Sequence, residues 1–238
     1  MHADFEPILN WRLLPGSHPF PGPDGGTCIN EAAIVAAGLP YRAIRSSADC
    51  PPCFSRPIAA YALGLNDAMP DAVRPHLIAF VLRLAGSADT PAVENARTGR
   101  LALDSIRAIL APLCVLAGMA EDAAACTGAP DLEAALAAAK AAAWRAGTLS
   151  EAAGRARRWR AGALTAAVSR TATAAQSAGA DARCAAEVAE EAAPFMPDTW
   201  LRACAILDAA LSIGRQAPEI ALAGARERLD AARALTPA

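Results

Sequence analysis

With 238 residues, 54% of them hydrophobic but only 5% aromatic, and a formal net charge of −2, the chain can bury a substantial core and has no global field to draw nucleic acid or an anionic membrane. The hydrophobic share comes from alanine, the strongest helix former, which buries little area per residue, so many helices must pack closely. The longest apolar stretches are cut by Arg74, His76 and Arg83, or by Arg107 and Pro112, short of the roughly 18 apolar residues of a membrane span.

Residues 1–10 contain Asp4 and Glu6 and lack the basic-then-apolar order of a signal peptide. Seven cysteines, an odd number, are expected to be reduced thiols in a cytoplasmic protein. Residues 15–26 hold four prolines and four glycines and should be irregular. Thr27 is placed to cap a helix over 28–37, which Gly38 stops and Pro40 bars from continuing. A second helix follows Ser55 or Arg56, with Pro57 in its first turn, and runs to about Asn66. Asp71 is the expected cap of a third, ending at Gly86. Thr90 and Pro91 open a fourth, whose Leu101, Leu103, Ile106, Ile109, Leu110 and Leu113 form a core-facing stripe that Pro112 should kink or end.

From about residue 129 alanine runs dominate, with breaks expected at residues 128–130, Gly147, Gly179 and Pro194. The last two helices, about 198–213 and 218–235, recover leucine and isoleucine. Strand signals are nearly absent. The expectation is all-α: a bundle of about eight to ten helices behind an irregular Pro/Gly-rich N-terminal segment. Residues 1–128 read as an N-terminal helical domain and 129–238 as an alanine-rich bundle, unless the two pack as one continuous domain.

The segments GTCINEAAIVAAG, DCPPCFSRPIAAYALGLNDAMPD and RLAGSADTPAVENAR carry a pattern of their own. It comprises a Cys-x-x-Glu-Ala helix (Cys28, Glu31), a Cys/Pro loop, an Asn-Asp-x-x-Pro-Asp turn (Asn66, Asp67, Pro70, Asp71, then Arg74) and an Arg-Leu-x-Gly segment (Arg83, Gly86). Over about residues 16–110 the chain resembles a group of bacterial and phage-borne helical proteins, often ending in an alanine-rich tail, with no established function. The resemblance implies kinship and carries no mechanism.

Several constellations could carry chemistry. Cys50-Pro51-Pro52-Cys53 has the form of a redox motif but lacks the strand and βαβ frame such a motif needs. It could also be half of a zinc site, with Cys28 and His18 as further ligands and His76 a weaker one; the simpler reading is a proline-stiffened connector. Glu31, Asp67 and Arg74 are candidate catalytic residues of a metal-dependent or small-molecule enzyme, against a reading as caps and an ion pair. The glycines of residues 21–26 lack the lysine of a phosphate loop. In residues 155–162, RARRWRAG, a solvated helix face with Trp159 tucked into the bundle is expected, and a nucleic-acid partner is disfavoured. Trp200, Leu201, Ile206, Leu207, Leu211 and Ile213 would suit a seam between copies. The leading expectation is therefore a non-catalytic protein, without cofactor or membrane span, that binds another protein or itself; the alternative is the N-terminal enzyme, with zinc as its cofactor.

Overall fold

A computed structural model describes residues 11–19, 26–217 and 222–234. Among these the chain is all-α, apart from one pair of two-residue parallel strands, β1 (Arg12–Leu13) and β2 (Gly26–Thr27). It divides into two compact units: residues 1–95 with 211–238, and residues 96–210. The 128/129 boundary read from the sequence falls inside the second unit, at a turn between helices.

In the first unit, α1 (Ile29–Ala36) is buried on every side. Its cap is Cys28, one residue beyond the expected Thr27. The Cys28 sulfur accepts from the Glu31 N–H at 3.4 Å while the Glu31 carboxylate accepts from the Cys28 N–H at 2.9 Å, a capping box in which a thiol stands in for a hydroxyl. Thr27 is drawn into β2, where its hydroxyl accepts from the Trp11 indole at 2.8 Å. At the other end Gly38 adopts φ +69, and the Leu39 and Gly38 N–H groups return to the Ile34 and Val35 carbonyls. Arg228 of α11 (Leu222–Ala234) then donates to the Ala36 carbonyl, at 2.9 Å from Nε.

Helix α2 (Arg56–Ala68) carries Pro57 in its first turn, as expected. The expected third helix is instead a 3-10 run over Arg74–Phe80 followed by one α-turn, α3 (Val81–Leu84). Pro75 sits in the opening turn of this run, where its missing N–H has no helical acceptor to lose. Helix α4 (Pro91–Ser105) starts at Thr90, whose hydroxyl accepts from Val93.

In the second unit Pro112 does not end the helix. The chain widens into a π-turn over Ile106–Leu110 and resumes as α5 (Ala111–Leu116); of the predicted stripe Leu101, Ile106, Ile109, Leu110 and Leu113 are buried, while Leu103 is half-buried. Then come α6 (Ala120–Gly128), α7 (Leu132–Arg155), α8 (Trp159–Ala178), α9 (Ala182–Ala192) and α10 (Thr199–Leu211). Buried Ala135, Ala139, Ala142 and Ala146 line one side of α7 and let α8 approach closely. Gly147 does not break α7; at this close crossing the Ser169 hydroxyl donates to the Ala143 carbonyl at 3.1 Å. The reversal instead falls at residues 156–158, which contain neither glycine nor proline.

Candidate functional site

The N-terminal constellation converges on Glu31. Its carboxylate is fully buried and accepts five hydrogen bonds, from the Ser17 hydroxyl (3.2 Å), the His18 N–H (3.1 Å) and Nδ1 (3.2 Å), the Cys28 N–H (2.9 Å) and the Ile44 N–H (2.9 Å). The Tyr41 hydroxyl closes the same loop by donating to the His18 carbonyl at 2.6 Å. Burial, reinforced by the Glu31 charge, pushes the Cys28 thiol and the Tyr41 phenol well above their ordinary ranges, so both stay protonated. His18, Cys28 and Glu31 are thus brought together, but both carboxylate oxygens are spent on holding residues 17, 18, 28 and 44 in place.

The Asn66–Arg74 turn is built in the same manner. The Asn66 amide is buried and bridges the Ile29 N–H (3.2 Å) to the Leu14 carbonyl (2.7 Å). Asp67 accepts from the Gly16 N–H at 2.8 Å. The buried Arg74 guanidinium donates to the Asn66 and Met69 carbonyls and to the exposed Asp71 carboxylate. Asp71 therefore serves Arg74 and does not cap the next helix.

Cys50-Pro51-Pro52-Cys53 is a turn, closed by the Phe54 N–H on the Pro51 carbonyl at 3.0 Å. The Cys53 carbonyl accepts from both Gly86 and Ala88, and the Cys50 carbonyl accepts from Arg56 at 2.7 Å. Cys50 is buried, which pushes its thiol up to about 12, whereas Cys53 is half-buried. Among the described residues no three His, Cys, Asp or Glu side chains gather at metal-binding distance, so neither Cys28 nor His18 joins Cys50 and Cys53 in a ligand set. His76 is exposed. Residues 21–25 of the glycine-rich stretch lie outside the described residues.

The second unit holds a site that sequence reading missed: an apolar groove of about 620 Å³ between α5 and the connection from α9 to α10. Pro112 creates it. Without its N–H the Ala108 carbonyl loses its helical donor, and Arg202 of α10 supplies one at 3.0 Å. Val115 and Leu116 stand at one edge, 62% and 54% exposed, and Phe195, Met196 and Pro197 line the far side. Two charges border this apolar lining. The Arg107 Nε–H is buried without an acceptor, while the other end of its guanidinium reaches the Ala129 carbonyl. Asp198 is half-exposed and accepts from the Arg202 Nε at 2.8 Å, a bond that holds its carboxyl below the usual range and therefore charged. The only sequence signal for the groove was the proline inside an apolar stripe.

Two expectations for this unit are corrected. Ile206, Leu207 and Leu211 are buried within the chain itself and are not free for a seam between copies, although Leu201 is 58% exposed. Trp159 is not in the bundle: it is 74% exposed, beside a turn whose arginines are exposed as well. No helix among the described residues is long and apolar enough to cross a membrane.

No known protein family, curated protein or solved structure matches the chain.

Proposed function

We propose that this chain is a non-catalytic helical protein that associates with a second copy of itself through the groove between α5 and α10. The reading is carried by one observation: a pair of exposed aliphatic side chains, Val115 and Leu116, stands directly beside an apolar groove on the same face. Under a two-fold axis each copy offers its ledge to the other's groove, the self-complementarity that an isologous interface requires. The rim charges follow the same symmetry. Asp198 of each copy can lie opposite the Arg107 guanidinium of the other, setting opposite charges across the rim. Kinship with the bacterial and phage-borne group belongs to this reading and rests on the sequence pattern that includes Cys28, Glu31, Asn66 and Arg74.

The groove is small, which places the association among the smaller, reversible protein interfaces. Sedimentation velocity over a concentration series tests it. The parent should show reversible growth in mass that Leu116→Glu abolishes, while circular dichroism stays unchanged because Leu116 is exposed. A parent that sediments as a monomer at every concentration, or a dimer that Leu116→Glu leaves intact, overturns the proposal.

A further inference from the structure

We propose that the tip of the α7–α8 hairpin binds single-stranded nucleic acid. None of the groove residues contributes to this surface, so the proposal stands or falls separately. Helix α7 ends at Arg155, the chain reverses through Ala156, Arg157 and Arg158, and α8 begins at Trp159. Arg157 makes the reversal at φ +55, the only positive φ outside glycine among the described residues, with the Arg158 N–H returning to the Ala153 carbonyl at 2.9 Å. Arg155, Arg157, Arg158 and Arg160 are all exposed, and Arg158 and Arg160 share a surface depression with the indole. Residues 152–180 contain no aspartate or glutamate; among the described residues Glu151, 3.8 Å from Arg155, is the one acidic side chain paired with these arginines.

Trp159 is the deciding residue. An indole 74% exposed at a helix start adds little to the fold, yet its face forms one side of a shallow depression that also involves Arg158, Arg160, Ala161 and Leu164. An aromatic face flanked by guanidinium groups is what an unpaired base and its neighbouring phosphates need: the base stacks on the indole and the arginines neutralise the backbone. A duplex keeps its bases stacked on one another and cannot offer one to the indole. A bilayer would call for a continuous exposed apolar face, whereas here the residues on either side of the indole are arginines. The sequence alone disfavours nucleic acid through the chain's mild net acidity and the expected burial of Trp159; the exposed indole removes the second ground, and the local run of arginines answers the first.

The test is fluorescence anisotropy of a labelled oligo-dT strand titrated with the full chain at low salt. Parallel titrations use the corresponding duplex and vesicles of phosphatidylcholine with phosphatidylglycerol. The parent should bind the single strand more tightly than the duplex, with affinity falling steeply as salt rises. Trp159→Ala should weaken binding by about 5- to 100-fold and Trp159→Phe should retain most of it. Arg158→Glu with Arg160→Glu should flatten the logarithmic salt slope by about 1.4, from about 0.7 per phosphate. All three side chains are exposed, so circular dichroism should show the variants folded. The proposal is overturned by absence of single-strand binding at low salt, by equal affinity for the duplex, by vesicle binding without oligonucleotide binding, or by binding that Trp159→Ala leaves unchanged.

Discussion

Replacing Glu31 by alanine should unsettle the N-terminal unit more than the loss of one surface charge would. The substitution strands five donors, two of which, the Cys28 and Ile44 N–H groups, are buried. Each buried amide left without an acceptor costs about 1–3 kcal/mol, so these two alone remove about 2–6 kcal/mol. A domain has about 5–15 kcal/mol in total, and the loss is therefore a large fraction of it. Ser17 and His18 lie nearer solvent and recover part of their bonding from water. Glu31→Gln keeps one carbonyl oxygen for one set of donors but turns its amide hydrogens toward another, so it should fall between the parent and the alanine variant, at about 1–3 kcal/mol. Urea unfolding followed by circular dichroism reads the stability, and hydrogen exchange at the Cys28 and Ile44 amides locates it. An alanine variant within about 0.5 kcal/mol of the parent, as for an ordinary surface change, with unchanged protection at Ile44, would refute the reasoning.

Arg74→Ala should cost about 2–4 kcal/mol, because the buried guanidinium leaves the Asn66 and Met69 carbonyls without their donor; a urea midpoint equal to the parent's would contradict this. Gly38→Ala should cost about 1–2 kcal/mol for the left-handed backbone, and its new Cβ would also meet Arg228 Cδ at 3.2 Å; thermal unfolding reads it, and an unchanged midpoint would argue against the helix stop described above. Stability should fall as pH rises above 9. Burial pushes Cys50 and Cys114 up to about 12 and Cys126 and Cys204 up to about 11, against an ordinary value of 9.0. The unfolded chain therefore releases these protons first, and the contribution is complete below pH 9 and lost on the way to 11–12. Urea midpoints that rise over that range would contradict the sign. In the native protein a thiol reagent should titrate the half-buried Cys53 and Cys184 rapidly and the five buried thiols slowly, with all seven reacting after denaturation.

The fold class was legible because punctuation and periodicity acted locally. Pro57 and Pro91 opened helices, Gly38 and Gly179 ended them, and the stripe from Leu101 to Leu113 is buried except at Leu103, which is half-buried. Where local signals competed, reading failed. The expected third helix is a 3-10 run instead, and the helix continues past Pro112 through a π-turn, with Arg202, distant in sequence, donating to the Ala108 carbonyl. The turn at Ala156–Arg158 had no glycine or proline to announce it, so Trp159 was assigned to a helix interior. Of the candidate residues, Glu31, Asp67 and Arg74 could be picked out as polar groups in apolar surroundings. Their hydrogen-bond partners lie up to 51 residues away, and no spacing rule could show that they hold backbone in place.

The most direct test of the proposed association exchanges the two rim charges. In a two-fold dimer Arg107→Glu sets a carboxylate against Asp198 of the other copy, and Asp198→Arg places two cations together, so each variant alone should sediment as a monomer. Mixed, they restore both opposite-charge contacts, and the mixture should sediment as a dimer with an affinity near that of the parent. A mixture that remains monomeric while the parent dimerises would contradict the groove as the contact surface.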